Sequence, residues 1–68
     1  MTYTYTNVAD AIKAVDIGVE ETLRDNPRLE DEEDSVYWDL CQGIQMECDP
    51  PTARELARVT GVTYVGER

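Results

Sequence analysis

Histidine and phenylalanine are both missing from this 68-residue chain, and lysine and tryptophan occur once each. Without histidine, the Ser-His-Asp and Cys-His nucleophilic arrangements and the common histidine-bearing zinc sites are excluded, which removes a large share of enzyme classes. No glycine-rich phosphate loop, dinucleotide-binding fingerprint or P-loop occurs either. With so few large aromatics, a core must be assembled from nearly every Val, Leu, Ile, Ala and Tyr available. A chain this short makes one small domain, residues 1–68, which buries only about 60% of its unfolded surface and has a net stability of roughly 3–10 kcal/mol. Few apolar side chains are left over to line a deep ligand pocket.

Long apolar runs are lacking as well, so nothing approaches the length of a membrane span. The opening residues MTYTYTNVAD carry neither a basic n-region nor an apolar h-region, and a cytosolic location is the expectation. Cysteine is limited to Cys41 and Cys48. On one continuous helix, positions seven apart are roughly 10 Å apart along the axis, too far for a disulfide. Two free, largely buried thiols are therefore expected, and two ligands cannot close a zinc site.

Positive charge is scarce: six Lys and Arg stand against fifteen Asp and Glu, for a net charge of −9. The excess is unevenly placed. Residues 1–48 hold twelve acids against Lys13, Arg24 and Arg28, which leaves −9, whereas residues 49–68 hold three acids against Arg54, Arg58 and Arg68, which leaves zero. Such a field repels nucleic acid and anionic membrane and attracts basic protein surfaces, including those that hold DNA or RNA. Solubility, or adaptation to high salt, would produce the same acid-rich and Lys-poor composition.

What is present organises itself into helices. Thr2-Tyr3-Thr4-Tyr5-Thr6 alternates and is β-prone throughout, which predicts a short strand. Asn7 then suits an N-cap with Asp10 at N3, and Val8, Ala11, Ile12, Val15, Val19 and Leu23 recur on one face of a first helix over 8–25, stopped by Asn26-Pro27. Val36, Tyr37, Leu40, Cys41, Ile44 and Cys48 give a second helix over 32–47. Its Gly43 costs about 1 kcal/mol relative to Ala and marks either close packing or a weak spot. Thr52-Ala53-Arg54-Glu55 reads as a capping box for a third helix over 53–60, with Gly61 as its C-cap. Val62–Val65 is again β-branched and aromatic, so 62–65 can pair with 2–6 in a two-strand ribbon. The expected fold class is mainly α, a compact three-helix domain with that minor β element.

The stretch LEDEEDSVYWDL, residues 29–40, concentrates the functional question. A calcium loop needs alternating ligands around a glycine turn, and Glu30–Ser35 has no glycine, so no metal is expected. Nothing suggests a pocket that would raise one carboxylate's pKa for acid–base work, and neither enzyme activity nor a cofactor is expected. Acids in the first turn of a helix interact favourably with its dipole, which accounts for Glu33 and Asp34. It does not account for Glu30, Asp31 and Glu32, since five consecutive acids repel one another. On a helical wheel Ile17 falls opposite the apolar stripe of the first helix, among Asp10, Lys13, Asp16, Glu20 and Glu21. Trp38 lies off the apolar face of the second, near Asp39, where it either joins the core or stands as an aromatic anchor. Asp16, Ile17, Glu20, Glu21, Glu30, Asp31, Glu32, Glu33, Asp34, Trp38 and Asp39 form the expected partner-binding set.

Two resemblances follow from these residues. The T-x-x-E-L-A-x-x-x-G-V pattern of TARELARVTGVTYV, residues 52–65, resembles the first helix and turn of helix-turn-helix DNA-binding domains, with Thr52 capping, Leu56 and Ala57 in the core and Gly61 at the turn. Val62–Arg68 is too short and too β-branched for a recognition helix, so the likeness implies a degenerate element used for packing. In size and charge the chain resembles the small acidic phage-encoded anti-CRISPR proteins and other DNA-mimic inhibitors, a likeness of type without a shared motif. That likeness implies a stoichiometric inhibitor in the host cytoplasm. Its partner would be a basic protein surface of a nucleic-acid-binding complex, with no direct contact to nucleic acid or membrane. The rival expectation is a small regulatory or adaptor protein that binds through apolar contacts around Trp38. Nothing in the residues fixes the oligomeric state.

Overall fold

The computed structural model describes residues 3–66. Three helices carry the fold: α1 (Val8–Asp25), α2 (Glu33–Gln45) and α3 (Pro50–Thr60), with a short 3-10 helix, Pro27–Glu32, joining the first two. Helix α1 begins as its sequence predicts. The Asn7 side chain accepts from the Asp10 amide at 2.9 Å, and its own amide donates to the Asp10 carboxylate at 2.8 Å. At the other end the Asn26 amide bonds the Thr22 carbonyl before Pro27 breaks the run. Helices α1 and α2 then pack as an antiparallel hairpin.

Close approach within the hairpin occurs at Gly18. A Cβ there would sit 3.3 Å from both methyls of Leu40, so the glycine lets the two helices come together. Gly43 has no such role: a Cβ would meet nothing within 4 Å, so close packing does not account for that glycine.

The core has two parts joined by Ile44. One collects Ala11, Cys48, Ala53 and Leu56 under Tyr5, Val8, Ile12 and Tyr64. The other collects Val15, Cys41 and Val62, flanked by Val19, Tyr37 and Leu40. The helical stripes read from the sequence are the faces that meet here.

Three sequence expectations need correction. Helix α3 starts at Pro50, before the expected capping box, because Pro50 and Pro51 occupy the first helical positions, where a missing N–H costs nothing. Asp49 is the N-cap, with its carbonyl accepting from Ala53 at 2.9 Å, and Thr52 is a buried residue of the first turn with no capping role. Helix α2 ends at Gln45, two residues short of its expected end.

The ribbon is the third. Thr2 lies outside the described residues, and among those described neither 3–6 nor 62–65 forms a strand. Tyr5 instead makes a single parallel bridge with Cys48. The Thr4 and Tyr5 amides donate to the Glu47 carbonyl at 2.9 and 3.1 Å, and the Asp49 amide donates to the Tyr5 carbonyl at 3.3 Å. The carboxyl-terminal segment finds a different partner. The Gln45 carboxamide donates to the Thr63 carbonyl at 3.1 Å and accepts from the Val65 amide at 2.9 Å. A carboxamide carries the same donor and acceptor as a peptide group, so one buried side chain takes the place of a strand. Gly61, at φ 78°, makes the turn that leads there, and its amide bonds the Ala57 carbonyl.

Candidate partner-binding surface

Residues 16–39 form the tip of the hairpin: the second half of α1, the 3-10 helix and the first half of α2. They hold ten acids against Arg24 and Arg28, which leaves −8 of the total −9. The 3-10 helix explains how five consecutive acids are accommodated. Glu30, Asp31 and Glu32 turn on its tighter spiral, whereas Glu33 and Asp34 open α2, where they face the positive end of that helix's dipole.

All eleven residues of the expected set are exposed. Among the described residues the ion pairs are Arg24 with Glu20, at 3.1 Å, and Arg58 with Glu55. Glu20 is thus compensated, while Glu30, Asp31, Glu32, Glu33, Asp34 and Asp39 take part in no described ion pair. Glu55, held by the Arg58 guanidinium, ionises more readily than an ordinary glutamate.

Trp38 resolves in favour of the surface, at 42% exposed. It lines a shallow hollow of about 280 Å³ with Asp34, Ser35 and Asp39, so the aromatic and two carboxylates share one concave patch. Ile17, 46% exposed, lies in a separate hollow on α1 with Lys13, Gly18 and Glu21. Of the expected set, Asp34, Trp38 and Asp39 thus share one hollow and Ile17 and Glu21 the other, whereas Asp16, Glu20, Glu30, Asp31, Glu32 and Glu33 line neither.

A third depression was not anticipated. Tyr3, Met46, Cys48, Pro50, Tyr64 and Val65 line a cleft of about 430 Å³ where α2 meets α3, with Gln45 and Ala53 also contributing. Gln45 is itself 2% exposed. Its signal was present in the spacing, since it follows Cys41 by four residues and precedes Cys48 by three. A polar residue on an apolar stripe is easily passed over.

Both thiols are buried. Burial pushes both Cys41 and Cys48 above the ordinary thiol value. The Tyr37 and Thr60 hydroxyls beside Cys41 pull the other way, and Asp49 and Glu47 near Cys48 add to the rise. Both cysteines are free. Among the described residues no group of three or more Cys, Asp or Glu side chains is arranged to hold a metal ion, and no helix is long and apolar enough to cross a membrane. After Gly61 no second helix follows among the described residues, so the helix-turn-helix likeness has no recognition element there.

These features define a class, an acidic three-helix domain with an exposed aromatic set among carboxylates. Comparison with family models, with curated proteins and with solved structures finds no match to this chain.

Proposed function

We propose that the protein is a non-enzymatic inhibitor that binds, through its acidic hairpin tip, a protein surface built to hold nucleic acid, as in a CRISPR-Cas type defence complex encountered by a phage. The observation that carries this reading is the −8 charge of residues 16–39, exposed and largely without internal counter-ions. Carboxylates spaced along two helices present negative charge to Lys and Arg positions that otherwise contact phosphates. Trp38, between Asp34 and Asp39, adds an aromatic anchor of the kind that dominates protein interfaces and that stacks well against guanidinium groups.

The test is a DNA-binding assay of such a complex titrated with the protein at low and high salt, using the wild type and the triple charge reversal Glu32→Lys, Glu33→Lys, Asp34→Lys. Inhibition is expected to weaken steeply with salt and to fall by more than about a hundredfold in the triple variant. Affinity unchanged by the reversals sinks the mimic reading.

The exposure of Trp38 also favours a second reading, a small regulatory or adaptor protein that recognises its partner by apolar contact. Binding that is insensitive to salt and abolished by Trp38→Ala selects that alternative.

A further inference from the structure

Trp38 is the single tryptophan of a chain that has no phenylalanine. A large aromatic offers the greatest apolar area that a small domain can bury, yet this one stays 42% exposed while smaller Val, Ala and Cys side chains fill the core. The fold leaves much of it unused. On α2, Asp34 precedes Trp38 by four residues and Ser35 precedes Asp39 by four, so the indole has one carboxylate a turn behind it and another on the neighbouring row. Neither carboxylate takes part in a described ion pair. None of the described cations lines the hollow: Arg24 pairs with Glu20, Arg58 pairs with Glu55, and Lys13 lies in the hollow of Ile17.

On the reading of the tip as a protein-binding surface, we infer that the hollow at Trp38 is a subsite for one arginine side chain of the partner, selective against lysine. The guanidinium lies flat on the indole, and the N–H groups around its edge donate to the Asp34 and Asp39 carboxylates. General negative charge on the tip attracts any basic surface, whereas this hollow distinguishes between the two basic side chains.

The chemistry of the four lining residues selects this occupant over others. A guanidinium is planar and weakly hydrated, so its faces give up water to an aromatic ring at little cost while its edge still bonds carboxylates. A lysine ammonium is a compact, strongly hydrated point charge with no flat face to stack. An apolar side chain in the hollow would strip water from two carboxylates and return no hydrogen bond. A divalent ion would find two acids here without a third, since among the described residues no group of three Cys, Asp or Glu side chains is arranged to hold a metal. Phosphates are repelled by both carboxylates. Charge complementarity calls for a cation, and the exposed indole calls for a flat one.

Fluorescence anisotropy of two dye-labelled peptides, an arginine-glycine repeat and its lysine counterpart of equal charge, tests this on the full chain. The arginine peptide is expected to bind at least about threefold more tightly and to shift the emission of Trp38, the chain's single indole. Trp38→Leu is expected to erase that preference and to keep most of the salt-sensitive binding, with circular dichroism as the check on folding. Should that variant unfold, Asp34→Asn with Asp39→Asn carries the test. It is expected to weaken the arginine peptide by at least about fivefold, against less than about twofold for the equally charged pair Glu30→Gln with Asp31→Asn. Equal affinity for the two peptides overturns the proposal. So does a preference that survives Trp38→Leu, an unmoved Trp38 emission, or an equal loss from the two neutralised pairs. The reading of the tip as an inhibitory surface fails separately: an arginine preference without inhibition of a nucleic-acid-binding complex keeps the subsite and removes that target. Salt-sensitive inhibition with equal affinity for both peptides does the reverse.

Discussion

At its amino-terminal end α2 meets solvent through Glu33, Asp34, Trp38 and Asp39, with no side-chain capping bond. Toward its carboxyl-terminal end Cys41 and Gln45 are buried, as is Cys48 just beyond it; hydrogen bonds tie residues 63–65 to Gln45 and residues 4–5 to Glu47 and Asp49 after the helix. One helix thus joins a solvated, highly charged tip to a packed, nearly neutral base. Such a division leaves the tip able to change its charges with little cost to folding, while the base has almost no freedom. In a domain this small the division separates residues that hold the fold from residues available to a partner.

Truncation in the base is expected to have the largest effect. Leu56 is fully buried among Ala11, Cys48 and Ala53, and Leu56→Ala is expected to cost about 2–5 kcal/mol, close to the whole stability of such a domain. Urea denaturation reads it, and a midpoint near that of the wild type would show that the base is not the stabilising end.

Gln45→Ala comes next. It removes two hydrogen bonds and leaves the Thr63 carbonyl and Val65 amide without their buried partner, for a loss of about 2 kcal/mol. Hydrogen exchange at the Val65 amide is expected to accelerate beyond what the global loss explains. Equal acceleration everywhere would mean that Gln45 holds no particular segment.

Alkaline pH probes the buried thiols and the Tyr37 hydroxyl packed beside them. Burial raises the Cys41 and Cys48 thiols and the Tyr37 hydroxyl, with Cys41 and Asp16 adding to the rise at Tyr37. Groups whose protons are held more tightly in the folded state contribute stability that is fully present below their ordinary values, about 8.5 for a thiol, and lost as pH rises through the raised folded values. The melting temperature is expected to hold from neutral pH to that point and to fall above it. A flat alkaline limb would contradict the sign.

The same division explains what the sequence made legible. Helix positions and the two apolar stripes were readable because Val8–Leu23 and Val36–Cys48 repeat at helical spacing, and the core is built from those faces. Exposure of the acids and of Ile17 followed from the same wheels. The ribbon failed because Val62–Val65 has strand-like residues but its partner is the side chain of Gln45, a tertiary contact with no local signature. The start of α3 was misplaced because a Pro-Pro pair reads as a stop for the preceding helix and also serves as a start for the next. Trp38 lay off the apolar face of its helix, but spacing within one helix does not say whether that helix is covered on both sides. The cleft could not be anticipated, since its walls come from three separated stretches of chain.

The smallest expected effect tests the tip directly, by dividing its acid run at the point where α2 begins. Glu30, Asp31 and Glu32 lie in the 3-10 helix, where like charges three or four residues apart each cost about 0.2–0.5 kcal/mol at low salt. Glu30→Gln with Asp31→Asn and Glu32→Gln is therefore expected to raise stability slightly. Glu33→Gln with Asp34→Asn also relieves repulsion but removes a favourable interaction with the α2 dipole, worth about 0.3–1 kcal/mol per acid, so it is expected to be neutral or mildly destabilising. Both differences are expected to vanish in molar salt, where screening acts within about 3 Å. Thermal melts of the two variants at low and high salt give the comparison. If the first variant loses as much stability as Gln45→Ala, those three acids belong to the fold and are not a surplus left for a partner.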